Sequence, residues 1–139
     1  MAWMGIDYGT RRIGLSTSDS GILASPHSTI SRSETLEATI DAIERIAGPL
    51  EVDRFVVGFP RTNRPHPHSL RKFERFADAL RQKTCKEVVL WDETLSTVEA
   101  VERRRERGKS SRNNRRPIDQ EAATIILQSY LDHQSRRTS

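Results

Sequence analysis

Cysteine and long apolar runs are scarce in this sequence of 139 residues. Cys85 is the only cysteine, which excludes an intramolecular disulfide and a cysteine-ligated zinc site. Because it precedes an apolar segment, we expect it to pack as a small hydrophobic residue. No apolar run approaches the roughly 20 residues of a membrane-spanning helix, and no basic-then-apolar leader opens the chain. These absences predict a cytoplasmic protein with no membrane partner.

Charge is abundant and unevenly placed. Hydrophobic residues make up 35% and charged residues 30% of the chain, which at this length predicts a single domain over residues 1–139. The net charge is +4, and residues 103–116 carry eight basic side chains against one acid, Glu106. Such a cluster favours a nucleic acid partner, the alternative being a solvated loop without a partner. Residues 109–116 are predicted to form a mobile basic loop and residues 133–139 a disordered tail.

The stretch from Trp3 to Ser16 predicts an apolar strand that ends at Asp7, a tight turn containing Gly9, and a second strand. A carboxylate held at a strand end beside a glycine-permissive turn suits a metal ligand or a group that faces a phosphate. The alternative is a plain β-hairpin in which Asp7 only begins the turn.

The period of the apolar residues changes along the chain. A third strand over residues 22–30 contains Pro26, which indicates a sheet edge or a bulge. Ser33 is placed to cap the first helix, which ends at Gly48-Pro49. The later elements are a strand over 52–59, a loop over 61–68, a helix over 70–80, a strand over 87–91, a helix over 96–108 and a helix opened by Pro117. The order β-β-β-α-β-α-β-α-α predicts an α/β ribonuclease H-like domain: a mixed five-stranded sheet, with three antiparallel strands and then β-α crossovers, flanked by helices.

Three acids fall at the ends of predicted elements: Asp7, Glu93 and Asp119. The carboxyl ends of crossover-connected strands share one sheet edge, where converging carboxylates repel one another unless cations neutralise them. Oxygen ligands predict one or two Mg²⁺ or Mn²⁺ ions and disfavour zinc. Strand alternation does not decide between Glu93 and the adjacent Asp92, and we predict Glu93. Taken singly, each acid has a structural alternative as a helix cap, a turn residue or a surface group.

Four blocks of this sequence resemble the YqgF/RuvX family. They are Asp7-Tyr8-Gly9-x-x-Arg12-Ile13-Gly14-Leu15, Gly58-x-Pro60, Asp92-Glu93-x-Leu95-Ser96-Thr97 and Asp119-x-x-Ala122-Ala123-x-x-Ile126-Leu127-x-x-Tyr130-Leu131. The resemblance implies a ribonuclease H-like fold and a divalent-metal-dependent nuclease, with Asp7, Glu93 and Asp119 as its catalytic and metal-binding acids. It also implies either a Holliday junction resolvase or an enzyme that matures the small-subunit rRNA precursor in the cytoplasm.

Two positions depart from the family pattern. Thr94 stands where the family usually has arginine, and residues 61–65 replace an Asp-Gly turn. Both departures affect groups beside the predicted site, so substrate preference is expected to differ from that of relatives. The side chains predicted to bind nucleic acid are Arg11, Arg12, Arg61, Arg64, Arg112, Arg115 and Arg116.

The sequence is consistent with more than one function. An RNA-processing enzyme works as a monomer, whereas a resolvase for branched DNA requires a homodimer with two sites; we favour RNA because the basic loop suits irregular RNA. The segment Asp7-Tyr8-Gly9-Thr10 also fits the phosphate loop of actin-like ATPases, which need a second such domain. A non-catalytic RNA-binding module is the third possibility.

Overall fold

The computed structural model describes residues 2–60, 67–93 and 118–138. Its elements, in chain order, are β1 (Ala2–Tyr8), β2 (Arg12–Ser18), β3 (Ser25–Ser31), α1 (Leu36–Ala47), β4 (Val52–Pro60), α2 (Pro67–Thr84), β5 (Glu87–Glu93) and α3 (Ile118–Thr138). The helix predicted over 96–108 and the basic loop predicted over 109–116 lie outside the described residues.

The five strands form one mixed sheet in the order β3-β2-β1-β4-β5. β1 pairs with β2, and β2 with β3, in antiparallel fashion because short turns join them. β4 lies parallel to β1 and to β5, since α1 and α2 carry the chain back between these strands. The predicted fold class is confirmed.

Strand alternation divides the core between the two faces of the sheet. Met4, Ile6 and Tyr8 of β1 belong to the larger cluster, which includes the apolar faces of α1 and α2. Trp3 faces the opposite way and packs in a smaller cluster with Ile126 and neighbouring residues of α3. One helix therefore covers one face of the sheet by itself among the described elements, and Asp7 belongs to that face.

α3 lies unusually close to the strands because three facing positions are glycines. A side chain at Gly14 would overlap the backbone carbonyl of Asp119, and one at Gly58 would overlap the side chain of Ile126. At Gly5, an added Cβ would overlap the backbone of the same helix. Ser16 Oγ fastens the contact further by donating a 2.7 Å hydrogen bond to a carbonyl of α3. This close approach determines where the first turn of α3 lies.

The start of β3 differs from the prediction. The strand begins at Ser25, and Ile22 and Leu23 lie in the preceding turn with 76% and 69% of their surface exposed. The reason is tertiary: the side chain of Gln128 accepts a hydrogen bond from Ala24 N and donates one to the carbonyl of Ile22, both at 2.8 Å. The peptide groups before β3 therefore bond to α3. Pro26 does lie on an edge strand beside a register shift, as predicted.

The helices also begin or end at residues other than those predicted. α1 is capped by Thr35, whose hydroxyl accepts from the amide of Ala38 at 3.1 Å, and not by Ser33. α2 begins at Pro67, inside the predicted loop, because a proline at the first helical position lacks only an amide that would be unpaired there. α3 continues to Thr138 and so includes residues 133–138, where the sequence predicts the beginning of a disordered tail. No described helix is long and apolar enough to span a bilayer.

Cys85 was predicted to be packed, and this prediction is wrong. It is exposed, with a left-handed φ of 58°. Its amide donates to the carbonyl of Arg81 at 2.8 Å, so it ends α2 in the position where a left-handed residue closes a helix.

Candidate active site at the carboxyl end of β1

Asp7 is the second-last residue of β1 and lies on the face that α3 covers. Its neighbours across the sheet are Gly14 of β2 and Gly58 of β4, neither of which has a side chain. The space that side chains at these two positions would fill is occupied by α3, which helps to bury the Asp7 carboxylate. Burial and, to a lesser extent, the negative charge of Asp119 together raise the pKa of Asp7 from 3.8 to about 6.

Asp119 reaches Asp7 from the other end of the sequence. It is the second residue of α3, and its backbone lies directly against Gly14, the residue that pairs with Asp7. Because residue 14 of β2 is glycine, α3 can pack directly against this strand. The first turn of α3 then places Asp119 beside the end of β1. The side chain of Asp119 is 19% exposed, so it is partly accessible to solvent.

Arg12 forms an ion pair with Asp119. Its Nε lies 3.4 Å from Oδ2 of Asp119, and its side chain is 59% exposed. An ion pair in this setting is screened by water and contributes little to stability, so Arg12 can leave Asp119 at small cost. The carboxylate of Asp7 receives no hydrogen bond from any described residue and forms no ion pair with one.

The donor set suits a hard divalent cation. Two carboxylates approach closely, one is largely desolvated and unpaired among the described residues, and carboxylate oxygens are the ligands that Mg²⁺ and Mn²⁺ take. Within residues 2–60, 67–93 and 118–138, no three histidine, cysteine or acidic side chains come together as a metal site. A third protein ligand would have to come from outside that set.

The end of β5 lies at the same edge of the sheet. Trp91 pairs with Gly58, which in turn pairs with Asp7, so these positions form one row across three strands. Trp91 donates a 3.2 Å hydrogen bond to Ser129 of α3 and therefore lies on the α3 face. Position 93 follows by two residues and shares that face, whereas position 92 belongs to the opposite one. The side chain of Glu93 lies outside the described part of the structure.

The predicted nucleic-acid contacts are described only in part. Arg11, in the turn that follows β1, and Arg12, the first residue of β2, are both exposed. Thr94 lies outside the described residues, as do Arg61, Arg64, Arg112, Arg115 and Arg116.

Sequence reasoning missed one basic residue at this edge, Arg32. Its guanidinium lies 4.4 Å from the centre of the Tyr8 ring, and its Nη1 donates to the carbonyl of Gly9 at 3.3 Å. Arg32 is separated from that turn by more than twenty residues, and only the pairing of β3 with β2 brings it there. The one available signal was the end of a predicted edge strand.

Comparison with known proteins decides the family. The model of the RuvX family, described as Holliday junction resolvase, matches residues 1–133. The chain belongs to the RuvX family. A relative from Lachnospira eligens named "Putative pre-16S rRNA nuclease" is 39% identical over 140 residues, which cover 98% of this chain and all of that one. A relative of the same name from Leifsonia xyli subsp. xyli is 43% identical, over 93% of this chain and 84% of that one.

Solved structures give the same fold. RuvC of Thermus thermophilus in complex with a Holliday junction substrate superposes with a TM-score of 0.58 at 15% identity, covering 97% of this chain and 96% of RuvC. The fowlpox virus Holliday junction resolvase gives a TM-score of 0.54 at 12% identity, covering 96% and 99%. At these identities the likeness shows the fold alone. The predictions of a ribonuclease H-like fold and of the RuvX family are confirmed.

Proposed function

We propose that this member of the RuvX family is a divalent-metal-dependent nuclease that hydrolyses phosphodiester bonds in RNA, with Asp7, Asp119 and Glu93 as its acids. Membership in the family makes the chain a hydrolase of phosphodiester bonds. The observation that carries the assignment of the site is the meeting of Asp7 and Asp119 at one sheet edge, although 111 positions separate them in the sequence.

Electrostatics supports the role of these two acids. A carboxylate whose pKa is raised to about 6 by burial and by a neighbouring charge resists ionisation, and a bound divalent cation removes both costs. Asp7 and Asp119 would hold Mg²⁺ or Mn²⁺. When bound, such ions supply a water activated for attack and a positive charge at the leaving oxygen of a phosphodiester.

Arg12 has a separate role in this proposal. Its exposed guanidinium is poised beside Asp119, where it partly neutralises the acids before a substrate arrives. Arginine binds phosphate through parallel N–H donors. We therefore assign Arg12 to the phosphate at or next to the bond that is cut, once its contact with Asp119 is released.

Glu93 is the third acid of the proposal, in preference to Asp92. The row that joins Asp7, Gly58 and Trp91 places the end of β5 at this edge, and position 93 shares the α3 face. Position 92 belongs to the other face, on which Asp7 does not lie. The choice of Glu93 over Asp92 is supported by the pairing register of β4 with β1 and β5.

RNA is the proposed substrate because the relatives that cover this chain almost end to end carry the name of a pre-rRNA nuclease. The basic segment 103–116 would follow the strand, and a single domain acting in the cytoplasm suffices for this reaction. The description of the family and the junction bound to RuvC keep branched DNA as the second candidate. Cleavage of branched DNA would require two copies related by a two-fold axis.

A chelator-controlled cleavage assay tests the proposal. Wild type, Asp7→Asn and the matched variant Asp19→Asn, whose aspartate lies exposed in the turn after β2, are incubated with structured RNA, duplex DNA and a four-way junction at equal salt. Cleavage of RNA is expected on addition of Mn²⁺, in wild type and Asp19→Asn only, with binding retained in Asp7→Asn. EDTA should abolish it.

Three outcomes would overturn parts of this proposal. Cleavage by Asp7→Asn at the wild-type rate, with contaminating nuclease excluded, removes the catalytic role of Asp7. Faster cutting of the junction than of RNA replaces the substrate. Salt-dependent RNA binding without turnover in any metal leaves a non-catalytic module.

A further inference from the structure

Arg32 is a second, rigidly held cation at the catalytic edge. We propose that it binds a backbone phosphate of the nucleic acid next to the one that is cut. This inference rests on the proposed function, since it assumes that a nucleic acid strand crosses the edge that Asp7 occupies. It adds the residue that directly follows β3, which none of the predicted contacts included.

The guanidinium of Arg32 is held in place by three kinds of contact. It stacks at 4.4 Å on the ring of Tyr8, which is buried and stacks in turn on Phe76 at 4.1 Å. Nη1 donates to the carbonyls of Gly9 and Thr10 at 3.3 and 3.5 Å. The backbone amide of Arg32 donates to the carbonyl of Arg11 at 2.9 Å. Both the side chain and its backbone are therefore fastened to the turn between β1 and β2.

The remaining donors of Arg32 are available to a ligand. Among the described residues, no carboxylate lies within ion-pair distance of this guanidinium, and its Nε and Nη2 form no hydrogen bond. The planar guanidinium fork offers parallel N–H donors that match two phosphate oxygens. Because stacking and hydrogen bonds already hold the group, binding a phosphate costs little side-chain entropy. If Arg32 only stabilised the turn, Nη1 would suffice, because it is the one side-chain nitrogen of Arg32 that donates to the turn.

The surroundings favour an anion over a second structural partner. The turn that Arg32 grips carries the exposed cations Arg11 and Arg12, so three guanidinium groups share one edge of the sheet. Of these three, Arg12 is paired with Asp119, whereas no acid among the described residues pairs with Arg11 or Arg32. Like charges at one edge repel one another, and a polyanion removes that cost.

The position of Arg32 separates its phosphate from the one at the acids. The ring of Tyr8, on which Arg32 stacks, belongs to the α1 and α2 face, whereas the neighbouring Asp7 belongs to the α3 face. A phosphate bound at the acids would lie on the α3 face, whereas the guanidinium of Arg32 lies over a ring of the opposite face. We therefore assign Arg32 to a flanking phosphate, and its loss should weaken binding more than it slows the cleavage step.

Arg54 provides a matched control. It also stacks on an aromatic ring, 4.8 Å from the centre of the ring of Trp3, but at the opposite end of β1. Its Nε pairs with Glu87 at 3.3 Å, so its charge is already matched by an acid. The variants Arg32→Gln and Arg54→Gln each remove one positive charge and one contact between a guanidinium and a ring.

The test measures binding of single-stranded RNA to full-length wild type, Arg32→Gln and Arg54→Gln in EDTA, at several salt concentrations. Loss of one phosphate contact should reduce the slope of log affinity against log salt by about 0.7 in Arg32→Gln and leave Arg54→Gln unchanged. Cleavage in Mn²⁺ should then show a raised KM with kcat near the wild-type value. Thermal unfolding of each variant is measured as well, to establish that the protein is folded under the conditions of the binding experiment.

Each result bears on the inference separately from the nuclease itself. An unchanged slope in Arg32→Gln, with wild type binding and cutting RNA, makes Arg32 a structural clamp and refutes the inference alone. Equal slope changes in both variants refute it as well. A wild type that does not bind nucleic acid refutes the proposed function and the inference together.

If Arg32→Gln does not fold, wild type supplies the second measurement. The ¹⁵N resonance of Arg32 Nε should shift when RNA is added, while that of Arg54 stays in place. A static Arg32 resonance on saturation with RNA is the opposing result.

Discussion

The replacement Asp7→Asn should stabilise the protein in the absence of metal. The pKa of Asp7 in the folded state is about 6, against the ordinary value of 3.8. Each pH unit of difference corresponds to about 1.4 kcal/mol, so ionised Asp7 costs the folded state up to about 3 kcal/mol. Asparagine has nearly the same shape and carries no charge, and therefore avoids this cost.

The effect should depend on pH in a definite direction. Well below pH 3.8, Asp7 is protonated in both the folded and the unfolded chain, so its ionisation does not affect the difference in stability between wild type and variant. Between pH 3.8 and about 6 the unfolded chain releases this proton while the folded chain keeps it, so the free energy of unfolding of wild type falls relative to that of the variant, and the fall is complete above about pH 6. Above pH 7, a gain of about 3 kcal/mol in the free energy of unfolding corresponds to a rise in Tm on the order of 10 °C.

Urea unfolding in EDTA at pH 4 and pH 8 measures this difference. Asp19→Asn, which neutralises an exposed aspartate, serves as the control and should change stability by less than about 0.5 kcal/mol. Excess Mg²⁺ or Mn²⁺ at pH 8 should stabilise wild type more than Asp7→Asn, because the variant has lost a ligand. Two results would refute the reasoning from burial and neighbouring charge. One is an Asp7→Asn variant that is less stable than wild type at pH 8, and the other is a difference in unfolding free energy between variant and wild type that is the same at pH 4 and pH 8.

Three further outcomes are expected. Gly14→Ala should destabilise the protein by more than about 2 kcal/mol in urea, because the new methyl group would overlap the backbone of Asp119, whereas Gly48→Ala, at a helix end with a helical φ of −55°, should stay within about 1 kcal/mol. Asp119→Asn should lower the pKa of Asp7 in a ¹³C NMR titration while leaving it above 3.8, since burial is the larger cause. Ser16→Ala should cost about 1 kcal/mol of unfolding free energy through the lost hydrogen bond to α3. Equal stability of the two glycine variants, a pKa of Asp7 unmoved by Asp119→Asn, or a neutral Ser16→Ala would each count against the close docking of α3.

The fold could be predicted because short-range patterns specify its elements. Turn residues after β1 leave only an antiparallel partner, and apolar runs separated by helical segments require parallel crossovers. The ends of elements were predicted less well where a distant group competes for the backbone. The side chain of Gln128 forms hydrogen bonds with the peptide groups that precede β3, and the local sequence does not indicate such a contact.

The sequence by itself determined the kinds of residue available for chemistry and the order of the elements that carry them. Asp7 and Asp119 could be named as candidates, together with oxygen ligation, because an acid at the end of an apolar element is a local feature. Their meeting could be expected from the topology, but the sequence contained no measure of how close the helix would come.

Only the tertiary structure decided that approach. Glycines at positions 5, 14 and 58 let α3 rest on the strand backbones, and their shared face becomes evident only when three strands are in register. The same holds for Arg32, which the pairing of β3 brings to the edge of the sheet that carries the candidate site. The physical reason is that a pairing register relates residues far apart in the chain, and each such contact depends on the free energy of the whole packed sheet.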